Sequence, residues 1–430
     1  MKSLRIGLLG YGTVGQAFAR LLEAQRPRLA AQGLQLAITA VGNRGIERKR
    51  TAVPLRGDVR FTDELESVVD DAAVDLVVEL MGGLSPAREL LLRAFDAGKS
   101  VVTANKLLLA QHGAELAARA REHGAALGIE ASVAGGVPIL RAVRESFAGD
   151  TITGVSGILN GTCNFILTDM ESSGRSYEEV LAEAQQLGYA EADPRSDVDG
   201  EDAAYKLVLL ARMAFGQEVG VPDVRREGIT RLLPCDFVYA EMLSRTPRQL
   251  ATARRLPSGR LELSVRTHLV SWTSMLAKVT GPFNAVRLTA ESGGDFVFYG
   301  RGAGGDPTAT AVLGDVVELA RSGVRPGVPT FGRERLSACT PAGLEEIVSP
   351  YALRFMVRDR PGILAALSRC LADADINIDA VFQAPFADKE ALPFVITLEP
   401  IAESQLQRAL ESMRALPFHK EPPLAFPMTS

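Results

Sequence analysis

The strongest chemical signal in the sequence is an acid and a base on one face of a predicted helix at residues 200–215. Asp202 and Lys206 are four residues apart, so a helix brings their side chains together. The rest of the stretch is mostly alanine, leucine and valine, which is typical of a helix buried nearly all round. An uncompensated ammonium is costly in such a place. The pair is therefore either an ordinary salt bridge or a proton donor with its companion carboxylate.

Three more acids precede this helix, namely Glu191, Asp193 and Asp197. Pro194 disfavours helical backbone at the residue before it, so we expect residues 191–197 to form a loop. So many carboxylates close to one lysine favour a polar substrate site over an isolated surface pair.

A glycine-rich turn near the N-terminus predicts a dinucleotide site. The sequence GYGTVG follows an apolar run and leads into a helical pattern. The first glycine permits a tight turn, the second lets the backbone approach a pyrophosphate, and the third lets helix and strand pack closely. The phosphate then lies at the positive end of the helix. The residues expected at this turn are Gly10, Gly12, Thr13, Val14 and Gly15.

The end of the second predicted strand bears on the choice of coenzyme. An acidic residue there would accept the ribose hydroxyl of NAD. This sequence instead has Asn43 and Arg44, with Arg48, Lys49 and Arg50 close behind. A positive cluster can receive a 2′-phosphate, so NADP is slightly favoured over NAD. The alternative is a solvated basic loop.

The apolar pattern predicts three units. Short apolar runs alternate with helical patterns through residues 1–135, which predicts parallel βαβ units and a Rossmann-like dinucleotide-binding domain, to which a helix at 308–321 is expected to return. Residues 136–325 mix helices and strands and are predicted to be an α+β catalytic and dimerisation domain. A third unit, 350–430, follows a Gly- and Pro-rich connection at 323–329. The fold class is therefore α/β plus α+β.

The predicted elements are short and regular. The strands of the first unit are predicted at 4–9, 36–41, 76–80, 100–103 and 126–129. The second unit has predicted helices at 160–172, 177–187 and 200–215 and predicted strands at 261–270, 284–290 and 295–299.

Composition excludes several classes of protein. With 47% hydrophobic and 23% charged residues, the chain has a globular profile, and its interspersed charges, net −5, leave no basic face for nucleic acid. The sequence contains no apolar stretch of membrane-spanning length, and its first residues are not those expected of a secretory leader. The four cysteines are scattered and are expected to be buried, reduced thiols in a cytoplasmic protein. The four histidines are equally scattered, which disfavours a transition-metal or histidine-based site.

The stretch from 184 to 206 resembles the signature of homoserine dehydrogenases. The matching positions are Ala184, Gly188, Tyr189, Ala190, Asp193, Pro194, Asp197, Val198, Gly200, Asp202 and Lys206. Further similar segments lie at 103–106, 130–138, 157–162 and 302–304, so the resemblance covers roughly the first 325 residues.

This resemblance implies the reversible NAD(P)-linked interconversion of L-homoserine and L-aspartate 4-semialdehyde in threonine and methionine biosynthesis. It implies Lys206 as proton donor and acceptor, Asp202 as its companion, and Lys106 where nicotinamide and substrate meet. Hydride arriving at an aldehyde carbon leaves an alkoxide, which an ammonium can stabilise and protonate. The other implied residues are Glu191, Asp197, Gly157 and Asn160 for the substrate and Thr103, Lys106 and Gly304 for the coenzyme.

A glycine-rich loop after Glu130 also resembles a feature of that family, its monovalent-cation site. The implied ligands of Na⁺ or K⁺ are the Glu130 carboxylate and the backbone at Val133, Gly135 and Val137. The alternative is a sharp connection between domains with a hydrogen-bonded glutamate.

The C-terminal unit resembles ACT domains, which are βαββαβ modules that usually bind an amino acid at a paired interface. The resemblance rests on a strand starting near Tyr351, the turn Asp359-Arg360-Pro361-Gly362, a helix at 363–374 and a second strand at 376–378. It implies feedback control by L-threonine, and predicts that truncation after about residue 345 leaves activity but abolishes inhibition. The alternative is a dimerisation module that has lost its ligand.

Two other functions are compatible with parts of the sequence. One is another dehydrogenase of amino-acid metabolism, such as an aspartate dehydrogenase or a semialdehyde dehydrogenase. A semialdehyde dehydrogenase needs a nucleophilic cysteine, for which Cys163 is the candidate. The other is a non-catalytic sensor of nucleotide and amino acid, which has no need for a placed proton donor. The last two units look suited to pairing, so a homodimer or homotetramer is expected.

Overall fold

The computed structural model describes residues 2–323, 329–385 and 388–429. The strands are β1 (Lys2–Leu9), β2 (Leu34–Gly42), β3 (Arg60–Thr62), β4 (Leu76–Glu79), β5 (Ser100–Thr103), β6 (Leu127–Gly128), β7 (Ile152–Ile158), β8 (Gln217–Glu218), β9 (Arg225–Arg226), β10 (Arg245–Arg255), β11 (Leu261–Ser271), β12 (Phe283–Ala290), β13 (Gly294–Arg301), β14 (Ser337–Ala338), β15 (Val348–Val357), β16 (Ile378–Phe382), β17 (Leu392–Ala402) and β18 (His419–Thr429).

The helices are α1 (Thr13–Ala31), α2 (Leu65–Asp70), α3 (Ala87–Asp96), α4 (Lys106–Glu122), α5 (Ile139–Arg141), α6 (Gly161–Ser173), α7 (Tyr177–Gln186), α8 (Arg195–Val198), α9 (Glu201–Phe215), α10 (Pro234–Met242), α11 (Gly305–Ser322), α12 (Ile363–Asp373) and α13 (Glu403–Arg414). The expected domain boundary at residue 325 and most of the predicted connection at 323–329 lie outside the described residues.

The chain divides into two compact units. The first comprises 1–155, 202–224 and 284–339, and the second comprises 156–201, 225–283 and 340–430. Each unit is described by itself.

The first unit contains a parallel sheet of six strands in the order β3-β2-β1-β4-β5-β6. Alternate residues of β1, such as Leu4, Ile6 and Leu8, are buried in a core that also holds apolar side chains of α1 and α11. The direction in which successive strands are added reverses between β1 and β4. In open parallel sheets, ligands bind at the carboxyl ends of the strands beside such a reversal.

In the second unit, β10 and β11 form a long antiparallel ribbon, paired from Arg245 with Ser271 to Arg255 with Leu261. The C-terminal elements follow the expected βαββαβ order, from β15 to β18, and their sheet has the order β18-β15-β17-β16. β18 also pairs in parallel with β11 through Leu269 and Val270. The sheet of the predicted C-terminal unit is therefore continuous with the ribbon.

This continuity opposes the expectation that the C-terminal unit can be removed at residue 345 without loss of activity. The fully buried guanidinium of Arg354 on β15 donates to Asp236 on α10 at 3.2 Å. Arg266 on β11 donates to Glu403, the first residue of α13, at 3.0 Å. Truncation would leave Asp236 and Arg266 without these partners and expose the edge of β11.

Several predicted elements are wrong in their bounds. Residues 195–197 of the expected loop belong to the single turn α8, and the strand expected at 376–378 begins only at Ile378. The sequence pattern also missed β7 and β10. β10 carries arginines, threonines and a glutamine that do not read as a strand, yet most of it is buried by tertiary contacts.

None of the helices in the described ranges is both long enough and apolar enough to cross a membrane.

Candidate functional site

Two lysines from distant parts of the first unit meet at one carboxylate. Lys206 Nζ donates to Asp202 Oδ2 at 2.7 Å, one turn away on α9. Lys106, the first residue of α4, places its Nζ 2.7 Å from Asp202 Oδ1. Asp202 therefore orients both amines, and the sequence had suggested only one of the two pairs.

The burial of this cluster separates it from an ordinary surface salt bridge. The side chains of Asp202 and Lys206 are each 9% exposed, whereas that of Lys106 is 42% exposed. Burial acts to raise the pKa of Asp202, but the ammonium of Lys206, followed by that of Lys106, outweighs it and holds the pKa below its ordinary value. Asp202 thus stays a charged carboxylate near neutral pH, and the prediction of a buried polar pair on α9 is confirmed.

The two amines lie on the wall of a cavity of about 350 Å³ in the first unit. Its lining residues are Val14, Leu80, Met81, Gly82, Ala104, Asn105, Lys106, Ala131, Ser132, Ala134, Gly135, Lys206, Gly302, Ala303, Gly304 and Thr308. They come from the start of α1, the loops after β4 and β5, the start of α4, the segment after β6, helix α9, and the residues just before and at the start of α11. The cavity therefore joins the two amines to the carboxyl edge of the parallel sheet.

The glycine turn has the shape that a dinucleotide requires. Gly10 has a φ of +96°, and a Cβ there would lie 2.6 Å from the Leu80 backbone. A Cβ on Gly15 would lie 2.1 Å from the Gly10 oxygen, so helix and strand can approach only with glycine. At Gly12, by contrast, no described atom lies within 4 Å of a Cβ position, so there is open space for a phosphate group. Thr13 then begins α1.

The residues expected to choose the coenzyme stand at the end of β2. The side chain of Asn43 accepts a hydrogen bond from the Tyr11 N–H at 2.8 Å and donates to the Arg44 carbonyl at 2.6 Å. Arg44 is exposed, and among the described residues no carboxylate lies within salt-bridge distance of it. Arg50 stacks over the ring of Phe61 at 5.8 Å.

Glu130 lies beside the same cavity but is turned toward a helix. Its carboxylate oxygens accept hydrogen bonds from the N–H groups of Leu140 at 3.0 Å and Arg141 at 2.7 Å. Burial, followed by the charge of Asp315, raises its pKa to about 7. The hydrogen-bonded connection considered from sequence is thus present. Gly135 lines the cavity, and the Val137 carbonyl accepts from the Ile139 N–H.

The expected substrate residues belong to the second unit. Asn160 is buried at the start of α6, where it donates to Asp197 at 2.6 Å and accepts from the Cys163 N–H at 2.8 Å. Gly157 lies in the buried part of β7, and Glu191 is exposed in the loop before α8.

Two further polar residues bind neighbouring side chains. Asp193 pairs with its neighbour Arg195 at 2.8 Å, and this exposed contact lowers its pKa to about 2, so its charge is already balanced locally. Thr103 is fully buried and donates its hydroxyl to Glu79, so it supports the cavity wall from behind instead of lining it.

The cysteines also differ from expectation. All four are free thiols, but only Cys163 is buried, and the other three are partly exposed. Cys163 donates its thiol to the Asp197 carbonyl at 3.2 Å. A fully buried, hydrogen-bonded thiol is unsuited to attack a carbonyl, which disfavours a semialdehyde dehydrogenase.

Sequence reasoning missed Glu79, the last residue of β4. Its carboxylate is fully buried, and burial raises its pKa although it accepts several hydrogen bonds. The signal was present: an acid between the apolar run LVV and the glycines of LMGG is a costly choice that needs a reason.

Comparison of the sequence with known protein families identifies the family of this chain. Residues 10–130 match the family model of the homoserine dehydrogenase NAD-binding domain, 138–317 match that of homoserine dehydrogenase, and 351–418 match that of the ACT domain. The chain is 38% identical over 425 residues to a homoserine dehydrogenase of Pseudomonas aeruginosa, covering 97% of this chain and 96% of that one. The chain belongs to the homoserine dehydrogenase family.

Solved structures of homoserine dehydrogenases agree with this assignment. One from Thiobacillus denitrificans has a TM-score of 0.92 at 37% identity and covers 100% of this chain and 99% of its own. A hyperthermophilic archaeal homoserine dehydrogenase in complex with NADPH has a TM-score of 0.63 at 26% identity, covering 74% of this chain and 98% of its own. As a homoserine dehydrogenase, the protein is an oxidoreductase that acts on the CH–OH of homoserine with NAD(P), and the predicted Rossmann-like and ACT folds are confirmed.

Proposed function

We propose that Lys206 is the group that gives and takes the proton in the interconversion of L-homoserine and L-aspartate 4-semialdehyde. The observation that carries this proposal is that Lys106 and Lys206 lie on one cavity wall, both oriented by Asp202. The reduced nicotinamide, when bound, supplies the hydride to the aldehyde carbon. The ammonium of Lys206 would stabilise the alkoxide that develops on the carbonyl oxygen and protonate it.

The chain's own residues divide this work. Asp202 holds both amines and stays negatively charged, so it keeps Lys206 directed at one place. Lys106, the more exposed amine, offers a second positive charge to the oxygen. In the oxidative direction, Lys206 accepts the proton of the homoserine hydroxyl and must first be neutral.

The substrate amino group is proposed to bind Glu191 and Asp197, with Gly157 and Asn160 supporting that site. Asp197 accepts a hydrogen bond from the buried amide of Asn160 at 2.6 Å, which fixes the position of its carboxylate. A fixed carboxylate is suited to an ammonium group because the hydrogen bond is charge-assisted.

NADP is the proposed coenzyme, ahead of NAD. Arg44 is exposed and unpaired among the described residues, and Asn43 stands where a carboxylate would repel a 2′-phosphate. The open space at Gly12 and the positions of Val14 and Gly304 on the cavity wall support the placement of the pyrophosphate and nicotinamide ends.

A monovalent cation, Na⁺ or K⁺, is proposed beside Glu130, with the carbonyls of Val133, Gly135 and Val137. The donors are all hard oxygens, which suits such an ion. They also follow one another in a tight segment with positive φ at Ala134 and Gly135. The ion would fix this connection and would take no part in the chemistry.

The ACT domain is proposed to bind L-threonine, which would control the enzyme as an end product of threonine and methionine biosynthesis. The turn before α12 ends at Gly362, whose φ is +93°, and α12 begins without a side-chain cap. Backbone amides there are suited to an amino-acid carboxylate. A dimerisation module without ligand is the alternative.

A homodimer or homotetramer in the cytoplasm is proposed. The edge strand β13 exposes Phe296, Val297 and Tyr299, an apolar surface that a second copy would cover. Free cysteines, three of them partly exposed, suit a reducing compartment.

The proposed reaction is tested with a panel of substrates and purified protein, following NADPH absorbance. We expect oxidation of NADPH with L-aspartate 4-semialdehyde and reduction of NADP⁺ with L-homoserine, but no turnover with L-aspartate or ammonia and oxaloacetate. Turnover with aspartate alone would instead indicate an aspartate dehydrogenase, and NADPH binding without any turnover would indicate a sensor.

A further inference from the structure

Glu79 is a buried acid that the mechanism above does not use. It ends β4, has no exposed surface, and takes part in none of the ion pairs among the described residues. A buried carboxylate without a cation must be stabilised by hydrogen bonds. Its partners therefore indicate what it does.

One oxygen of this carboxylate orders the loop after β4. Glu79 Oε1 accepts hydrogen bonds from the N–H groups of Met81 at 2.7 Å and Gly82 at 3.1 Å. Gly82 and Gly83 both have positive φ, near +75°, so the loop turns sharply back over the carboxylate. Met81 and Gly82 are part of the cavity wall.

The other oxygen orders the start of α4. Thr103, which lies beside Glu79 in the sheet register, donates its hydroxyl to Glu79 Oε2 at 2.6 Å. The same hydroxyl oxygen accepts the Asn105 N–H at 3.0 Å. Asn105 in turn donates to the Gly83 carbonyl at 2.6 Å and caps α4 by accepting from the Leu108 N–H at 3.2 Å.

These bonds form one buried network that ends next to Lys106. The loop after β4 and the turn between β5 and α4 are held together by Glu79, directly and through Thr103 and Asn105. Lys106 is the next residue after Asn105, and its amine must reach Asp202 at 2.7 Å. A shift of the turn would therefore move the amine relative to Lys206.

We propose that Glu79 is a positioning residue of the hydride-transfer site, which holds Lys106 and the facing loop in the geometry that turnover requires. The inference rests on the proposed roles of Lys106 and Lys206. Glu79 itself touches neither substrate nor coenzyme in this account. Misplacement by about 1 Å is enough to lower a rate about 100-fold, so the effect belongs in kcat.

The test is a double-mutant cycle with Glu79→Ala, Lys106→Ala and the double variant. We expect Glu79→Ala to lower kcat about 30- to 100-fold while changing the KM for homoserine less than about threefold. In the Lys106→Ala background, the same substitution should lower kcat less than about threefold, because the group it positions is already absent. Glu89→Ala, which removes an exposed glutamate of α3, is the matched control and should leave kcat unchanged.

A conservative variant separates placement from charge. Glu79→Gln keeps an oxygen for the Met81 and Gly82 N–H groups, and its amide nitrogen donates to the Thr103 hydroxyl oxygen instead of accepting from it, so both links remain and kcat should stay within about fivefold of wild type. If Glu79→Gln is as impaired as Glu79→Ala, the proposal is overturned, since the charge would then be what matters.

A second variant covers the case in which Glu79→Ala does not fold. Thr103→Val removes only the hydroxyl that joins the carboxylate to the turn, and it should lower kcat about tenfold with no further loss in the Lys106→Ala background. A wild-type kcat in Thr103→Val, or losses that simply multiply with Lys106→Ala, would overturn the positioning role. If Lys106→Ala alone kept wild-type kcat, the proposed function of Lys106 would fail first, which is a distinct result.

Discussion

Lys106 and Lys206 hold the two oxygens of a single buried carboxylate, each at 2.7 Å. The second lysine is on the same helix as that carboxylate, whereas the first begins a helix of the parallel α/β part. Asp202 therefore fixes the distance between two positive charges that would otherwise repel each other. In the proposed mechanism, both charges lie around the substrate oxygen that gains or loses a proton.

Removing the charge of Asp202 tests this relationship. We expect Asp202→Asn to lower kcat about 100-fold, because an amide offers one acceptor oxygen and turns its N–H groups toward an ammonium. NADPH affinity should stay within about threefold. The matched control is Asp70→Asn, which breaks an exposed pair with Arg93 and should leave kcat unchanged. Equal kcat for Asp202→Asn and wild type would show that the carboxylate has no part in turnover.

The glycine turn offers two substitutions of the same size with opposite consequences. Gly15→Ala places a Cβ 2.1 Å from the Gly10 oxygen, so we expect the free energy of unfolding to fall by about 2–3 kcal/mol. Gly12→Ala points into open space, so it should cost no more than about 1 kcal/mol in stability but weaken NADPH binding at least about tenfold. Thermal unfolding and coenzyme titration distinguish the two. Unchanged NADPH affinity in Gly12→Ala would show that the pyrophosphate does not bind at this turn.

The exposed Arg44 gives a prediction about coenzyme choice. We expect Arg44→Ala to raise the KM for NADPH about tenfold and that for NADH less than about twofold, because only the former carries a 2′-phosphate. Arg28→Ala, another exposed arginine of the same unit, serves as the control. An equal change in the KM values of NADPH and NADH would show that Arg44 does not bind the 2′-phosphate and that the basic loop is only exposed to solvent.

The sequence predicted those parts of the fold that local patterns determine. β5 agrees with its predicted bounds, and α6, α7 and α9 agree to within a residue, because apolar periodicity and the residues just before each helix (Asn160, Ser176 and Gly200) act locally. β10 was missed because its polar side chains are buried by pairing with β11 and by neighbouring helices, which no local pattern records.

The candidate site shows the same limit. The Asp202–Lys206 pair follows from helical spacing, whereas the contact between Lys106 and Asp202 depends on how distant segments pack. Thr103 lies in a segment that resembles the family, but only the structure shows that its hydroxyl donates to Glu79 and does not face the cavity. A sequence motif can therefore predict which segments form a site, whereas the contacts of each side chain depend on how those segments pack.

The buried pair between Arg354 and Asp236 tests whether the ACT domain is an integral part of the second unit. Arg354 also donates to Glu421 at 2.8 Å and to the Arg231 carbonyl at 3.0 Å. We expect Arg354→Leu to lower the free energy of unfolding by about 3–5 kcal/mol, because it leaves a buried carboxylate unpaired. Arg358→Ala breaks an exposed pair with Glu390 and should cost less than about 0.5 kcal/mol. If denaturant unfolding gives equal stabilities for both variants, the ACT domain is only loosely attached.

The role of Lys206 is tested most directly by single-turnover kinetics of Lys206→Ala, in which enzyme loaded with NADPH is mixed with L-aspartate 4-semialdehyde and nicotinamide absorbance is followed. We expect hydride transfer to slow about 1000-fold while the dissociation constant of NADPH changes less than about threefold. Lys278→Ala, an exposed lysine, should behave as wild type. Hydride transfer at the wild-type rate in Lys206→Ala would contradict the account.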